Sequence, residues 1–339
     1  MRSGDISHIS LRNTASIRSM GAVFVTLKDM TNTPNALLGP AQIRELAERF
    51  GVTPTKSKGQ NFLHDAGTVR KIVRTSGVGP GERVVEVGPG LGSLTLGLLD
   101  AGCSVVAVEL DTVLAPQLKE TAERFVPGSS QRLDVVQGDA LEITELPGQA
   151  PTAFVANLPY NVSVPILLTF LQRFDSLERV LVMVQLEVAD RIVAVPGNKI
   201  YGVPSAKVAW YASATRAMKV GKNVFWPAPN VDSALVYLER RPAPETTAPR
   251  EFVFKVVDAA FAQRRKTLRQ ALSTLAGSTA AATAAIEAAG IDSGARGETL
   301  TIEQFARVAE QLIAQNGAQE PTREAAHEAD QEAAQDVAQ

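Results

Sequence analysis

The tetrapeptide Asn157-Leu158-Pro159-Tyr160 carries three groups that suit one kind of chemistry. Asn157 offers a neutral side-chain carbonyl that accepts a hydrogen bond. Pro159 has a fixed φ, stiffens the turn and so helps to fix nearby main-chain carbonyls. Tyr160 offers a ring on which a nucleobase can stack. Such a set suits the exocyclic amine of a base such as adenine. The lone pair of that amine is delocalised into the ring, so the nitrogen is a poor nucleophile. Two acceptors on its hydrogens favour a pyramidal nitrogen and aim the lone pair at an electrophile. Both acceptors are neutral, so placement carries the step rather than strong acid–base catalysis. On the tetrapeptide alone, an Asn-Pro turn with a packed tyrosine fits equally well.

A second constellation lies upstream. Glu86-Val87-Gly88-Pro89-Gly90-Leu91-Gly92 sits where an apolar run gives way to a helical pattern. Gly88 and Gly90 allow a tight turn and let a ligand approach main-chain amides. The dinucleotide fingerprint needs the spacing G-x-G-x-x-G. Here the third glycine comes one residue early, at Gly92, and Ser93 takes its place, which counts against a nicotinamide cofactor. Glu109 ends the next apolar run, where a carboxylate can accept hydrogen bonds from ribose hydroxyls. Asp139 ends the run after that, where an acid can read an adenine edge. Each acid alone is an ordinary surface residue. Turn, acid and acid at three consecutive run ends are far less expected by chance. No Lys-Ser/Thr phosphate loop is present, so the implied ligand is an adenosine compound without a diphosphate. S-adenosylmethionine fits best.

These residues need a frame. Arg83 to Val87, Ser104 to Val108, Asp134 to Gln137, Thr152 to Ala156 and Val180 to Gln185 read as apolar strands, and Leu235 to Leu238 as a late one. Leu91 to Ala101 reads as a helix between the first two. Continuous apolar strands separated by helices imply a parallel sheet buried on both faces. A Pro-rich linker, Pro242 to Pro249, precedes an all-helical pattern. Phe252 to Leu275 reads as one helix and Ser278 to Ala289 as another. Thr301 with Gln304 forms a capping box that opens a last helix through Leu312. The expected division is a disordered extension 1–40, an α/β domain 41–242, a helical domain 243–314 and a disordered acidic tail 315–339.

Composition bounds the function. With 45% apolar and 21% charged residues the chain is ordinary globular material, which excludes wholesale disorder and fibrous repeats. Cys103 is the sole cysteine, so no internal disulfide forms, in keeping with a reducing compartment. His8, His64 and His327 are scattered, so no metal site is expected. The stretch Phe154 to Leu171 is interrupted by Asn157, Pro159, Asn161 and Pro165 and cannot be a spanning helix, so a cytoplasmic protein is expected. The net charge of −2 hides an uneven distribution. The tail from Gln315 holds six acids against one base, whereas Lys219 to Arg269 holds ten bases against five acids. A patch like the latter can contact phosphate, though a solvated face also explains it.

Taken in order, these segments resemble the KsgA/RsmA family of small-subunit rRNA adenine dimethyltransferases, relatives of the Erm resistance methyltransferases. The resemblance runs from Lys58 to about Leu312. It rests on Gly59 to Leu63, the Glu86 to Gly92 turn, Val108 to Asp111, Gly138 to Ala140 and Asn157 to Asn161. Gln185 to Arg191, Tyr201 to Ser205, Phe225 to Ser233 and Phe261 to Arg269 continue it. It implies a Rossmann-like class I S-adenosylmethionine-dependent methyltransferase domain with a small C-terminal all-α domain. Asn61, Leu63, Gly88, Gly90, Glu109, Asp139 and Asn157 would hold the cofactor. Asn157 and the turn through Leu158 and Pro159 would also hold the target amine, with Tyr160 and Phe225 sandwiching a flipped adenine. The implied targets are two adjacent adenines in the 3′-terminal hairpin loop of small-subunit rRNA, each dimethylated within a pre-30S particle by a monomer. Arg264, Arg265, Lys266 and Arg269 lie at helical spacing, so at least three would share an RNA-facing side. Val164 and His64 stand where the family commonly has Thr and Asn, at the edge of the site.

Three other readings remain open at this level: an Erm-type enzyme acting on the large subunit, a ribosome-assembly factor that binds RNA without catalysis, and a dehydrogenase. The Tyr201 to Ser205 and Phe225 to Ser233 segments speak against the first and the intact Asn157 to Tyr160 turn against the second. The glycine spacing speaks against the third.

Overall fold

The computed structural model describes residues 36–54 and 60–315. Residues 1–35, Lys58 and Gly59 of the N-terminal motif, and the acidic tail beyond 315 lie outside the described residues. Five strands run parallel: β2 (Arg83–Val87), β3 (Ser104–Glu109), β4 (Leu133–Gln137), β5 (Ala153–Asn157) and β6 (Arg179–Gln185). Two more, β7 (Ala212–Val220) and β9 (Ser233–Arg240), pair antiparallel. The sheet order is β4-β3-β2-β5-β6-β9-β7, so the sheet is mixed rather than parallel throughout. A separate ribbon pairs β1 (Phe62–Leu63) with β8 (Phe225–Trp226).

The central strands alternate between two cores. Val84, Val105, Ala107, Ala153 and Val155 face one side, with residues of α1 (Pro40–Arg49), α2 (Ala66–Ser76), α3 (Ser93–Asp100) and α4 (Leu114–Phe125). Val85, Val87, Val106, Val108, Phe154 and Ala156 face the other. There they meet α5 (Ser163–Arg173), α6 (Leu186–Ile192) and α7 (Val203–Tyr211). Burial on both faces is why these strands read as unbroken apolar runs. β7 carries no such run, because it is an edge strand whose interior residues are mostly exposed or half-buried. Leu37 and Leu38 are 2% and 1% exposed, so the expected extension through residue 40 stops short of the core that these two join.

After the linker come α8 (Arg250–Ala262), α9 (Leu268–Ala271), α10 (Thr279–Ala288) and α11 (302–315). The single helix expected over Phe252 to Leu275 is broken. Gln263-Arg264-Arg265-Lys266-Thr267 offers no apolar residue to a buried stripe, and the chain turns there. The backbone N–H of Leu268 then donates to the Ala295 carbonyl, 2.7 Å away. Ser278 caps α10, and Thr301 and Gln304 form the expected box at the start of α11. The linker is held as well: the Thr246 hydroxyl and the Thr247 N–H both donate to Glu310. The apolar residues of α8 to α11 join the same core as α5 to α7. Among the described residues no helix is long and apolar enough to cross a membrane.

β3 lies on one side of β2 and β5 on the other, so the sheet order reverses at β2. Open α/β sheets bind ligands at such a point, outside the carboxyl ends of the strands.

Candidate active site

A cavity of about 550 Å³ opens at that point, within the usual size of a ligand cleft. Its walls bring together Asn61, Leu63, Gly88, Gly90, Glu109, Asp139 and the whole turn Asn157 to Tyr160. Gly88 and Gly90 have φ of +70° and +58°, where a side chain is strained. A Cβ at Gly90 would also lie 2.9 Å from the Phe62 ring. The turn is therefore bare backbone facing the cavity.

The acids are held by the turns around them. Glu109 is 7% exposed and accepts from the N–H groups of Gly90 at 3.0 Å and Asp111 at 2.9 Å. Burial pushes its pKa up, with those bonds opposing. Asp139 accepts from the Leu141 N–H at 2.9 Å. Asp111 accepts from the Gln60 side-chain amide at 3.3 Å, which ties the N-terminal segment to the end of β3. Glu86, which the turn motif alone leaves without a role, belongs to the site. It is 2% exposed, lines the cavity and accepts from the Thr95 hydroxyl at 2.6 Å. Burial pushes its pKa up to about 8, and the neighbouring Glu109 charge adds to the rise. A lone acid in the otherwise apolar body of β2 is the sequence signal for it.

Glu86, Glu109, Asp111 and Asp139 line the cavity, and among the described residues no Lys, Arg or His does. With Glu86 holding its proton near neutral pH, Glu109, Asp111 and Asp139 make a wall that suits a ligand with positive charge and repels phosphate. That disfavours a dinucleotide. Among the described residues no group of acids, His and Cys is arranged to hold a metal ion.

In the turn from Asn157 to Tyr160, the Asn157 side-chain nitrogen donates to the Asn61 carbonyl at 3.3 Å. Its side-chain oxygen is buried with no hydrogen-bond partner among the described residues. The Leu158 N–H donates to Met183 on β6, and the Pro159 carbonyl accepts from Val162, so the turn is braced on both sides. The Tyr160 hydroxyl meets the Ser233 hydroxyl at 2.7 Å.

Phe225 does not join this group. It is 3% exposed, does not line the cavity, and sits in β8 opposite Leu63 within the core on the α1–α4 side. A ring so covered offers no face to a base, and the expected sandwich with Tyr160 is not formed. The basic run is also rearranged. Arg264 donates to the carbonyls of Lys199 and Tyr201 and lies 3.5 Å from Glu298. It clamps the loop before α7 to the helical part rather than pointing away. Arg265, Lys266 and Arg269 are exposed and, among the described residues, have no ion-pair partner. Arg264, Arg265 and Lys266 stand in the turn between α8 and α9, not on one helix face.

The family model for ribosomal RNA adenine dimethylases matches residues 53–314. The chain belongs to that family. Ribosomal RNA small subunit methyltransferase A of Streptomyces griseus is 65% identical over 82% of this chain and 96% of its own. The protein of the same name from Thermobifida fusca is 60% identical over 83% and 99%. Among solved structures, a dimethyladenosine transferase from Plasmodium falciparum has a TM-score of 0.61 at 21% identity, covering 73% of this chain and 95% of its own. It supports the fold. The 23S rRNA methyltransferase ErmE has a TM-score of 0.54 at 28% identity, covering 75% and 100%. The dimethylase family is a family of enzymes, and the methyltransferase fold expected from the sequence is the one found here.

Proposed function

We propose that this chain transfers methyl groups from S-adenosylmethionine to the N6 amines of two adjacent adenines in the 3′-terminal hairpin loop of small-subunit rRNA, dimethylating each. The observation that carries the reading is the Asn157 side-chain oxygen, a buried acceptor with no partner among the described residues, on a residue that lines the cavity. A buried polar atom left unpaired costs about 1–3 kcal/mol, and an amine hydrogen of the target would relieve that cost. Small-subunit specificity draws support from relatives at 57–65% identity that carry that name, against 28% for ErmE.

The residues present fit the cofactor. Glu109, Asp111 and Asp139, with no cation among the described lining residues, suit a sulfonium compound, and the bare turn at Gly88 and Gly90 lets it approach the backbone. When bound, the cofactor supplies a methyl group on a positively charged sulfur. Asn61, Leu63, Gly88, Gly90, Glu109 and Asp139 would hold it. Asn157 and the main-chain carbonyls of its braced turn would hold the amine hydrogens and aim the nitrogen lone pair. Tyr160 would carry the face of the flipped base. The acceptors on the amine are neutral, so its extra proton leaves to water after transfer. Arg265, Lys266 and Arg269 would meet RNA phosphates. The reading implies a pre-30S partner, a cytoplasmic setting and action as a monomer.

The test is transfer of label from S-adenosylmethionine to small subunits lacking the hairpin methyls, with large subunits in parallel, followed by nucleoside analysis. Dimethyladenosine in the small subunit alone is the expected outcome. Label in the large subunit alone would move the chain to the Erm activity. No label in either, with the cofactor bound, would point to an assembly factor or a missing partner.

A further inference from the structure

Ser233 does not line the cavity, yet its hydroxyl bonds that of Tyr160, which does. Ser233 is 0% exposed and opens β9. It is paired across the sheet with Gln185 of β6 on one side and Val220 of β7 on the other. Its position is thus fixed by two neighbouring strands. Tyr160 is placed differently. It sits in the turn after β5, where its main-chain carbonyl accepts from the Ser163 hydroxyl at 3.4 Å. A tyrosine in a turn keeps two soft side-chain torsions. The hydroxyl bond to Ser233 restrains the far end of the ring, and a ring held at both ends cannot swing. Burial raises the Tyr160 pKa, so the phenol keeps its proton for that bond.

Other uses of Ser233 do not fit its surroundings. No His, Lys or carboxylate among the described residues bonds its hydroxyl, so nothing activates it as a nucleophile. The adjacent Asp232 is engaged by Lys219 at 2.8 Å.

We propose that Ser233 is a positioning residue for methyl transfer: its hydroxyl holds the Tyr160 ring so that the ring face stays turned to the target base. The proposal rests on the reading that Tyr160 carries the base. Its consequence is kinetic. A loosened ring still offers stacking area but places the amine less accurately, so turnover suffers more than binding.

The test is a double-mutant cycle with Ser233→Ala, Tyr160→Phe and the pair. The readouts are kcat and KM on unmethylated small subunits, S-adenosylmethionine affinity by calorimetry, and melting temperature. Each single change should lower kcat by roughly three- to tenfold, the worth of one hydrogen bond. The pair should be no slower than either single. KM and cofactor affinity should move less than about twofold, because the ring and the cofactor walls stay in place. A merely structural serine would instead slow the enzyme by the same factor in the Tyr160→Phe background, and that additivity would overturn the proposal. An unchanged kcat in Ser233→Ala would do the same. Should Ser233→Ala fail to fold, Tyr160→Phe decides alone, since it removes the bond from the other side and full activity there overturns the role. Tyr160→Ala separates the underlying reading: full turnover in that variant removes Tyr160 from base binding, whereas slow turnover with a normal Ser233→Ala removes only the Ser233 role.

Discussion

The side-chain nitrogen of Asn157 points at the main-chain carbonyl of Asn61, 3.3 Å away, and this bond sets which end of the amide faces the cavity. The N-terminal segment therefore fixes the orientation of a residue 96 positions later, and leaves its oxygen an acceptor with no partner among the described residues.

Replacing Asn157 with Ala should lower single-turnover methylation by at least about 10²-fold, the usual scale for removing one preorganised polar group. Cofactor affinity should stay within several-fold of wild type, because the remaining walls are intact. Rapid-quench kinetics with calorimetry on the same variant would check both halves, and retained methylation would sink the role of Asn157.

Glu86 should make stability depend on pH. Its ordinary value is 4.5, and burial in the folded chain raises it to about 8. Between those values the folded chain holds a proton that the unfolded chain has lost. Stability therefore falls as pH rises through the interval, by up to about 1.4 kcal/mol per unit, and the loss levels off above it. Glu109 is raised in the same sense and adds to the slope. Glu86→Gln should flatten the denaturation profile across the interval from 4.5 to about 8, as a chemical-unfolding series would show. An unchanged slope would mean that Glu86 is ionised in the fold.

Gly90→Ala should fold less stably by at least about 1 kcal/mol, because φ is +58° and the new Cβ meets the Phe62 ring at 2.9 Å. The same methyl pushes Phe62 and the cavity wall apart, so cofactor affinity should fall with it. Thermal melts with and without S-adenosylmethionine would separate the two effects.

The arginines should divide by role. Arg265→Glu with Lys266→Glu should weaken RNA binding and flatten its salt dependence by roughly 0.7–0.9 for each phosphate no longer neutralised. Arg264→Ala should lower the melting temperature while leaving the salt slope in place, since its guanidinium holds carbonyls of the loop before α7. Filter binding over a salt series would distinguish these outcomes. A salt slope that falls with Arg264→Ala alone would return that residue to the RNA surface.

Most of the cavity is legible in the sequence because its residues sit at strand ends, and strands buried on both faces announce themselves as apolar runs. Gly88, Glu109 and Asn157 each end or follow such a run within a residue or two, and Asp139 follows the mostly half-buried edge strand β4. Tertiary packing is what the sequence conceals. Phe225 looks like a free aromatic in a Pro-rich segment, and only the fold sets it opposite Leu63 within a buried core. Arg264 looks like its neighbours, and only the fold brings Lys199, Tyr201 and Glu298 within its reach. Ser233 is one serine among many until β6 and β7 close around it. The break after Ala262 is hidden because apolar residues resume in phase at Leu268 on the far side of a polar turn.

The helices after the linker share one apolar core with α5 to α7, and Phe254 packs edge-on against both Trp210 and Tyr211. They are therefore not a detachable module. A hybrid enzyme joined at the linker would pair two halves of a jigsaw cut from different puzzles, and its losses should appear as aggregation before they appear as altered specificity. Exchange between relatives should succeed only when α7 travels with the helices it packs against. Exposed turns such as Arg265-Lys266 lie outside that seam, so substitutions there should leave it undisturbed.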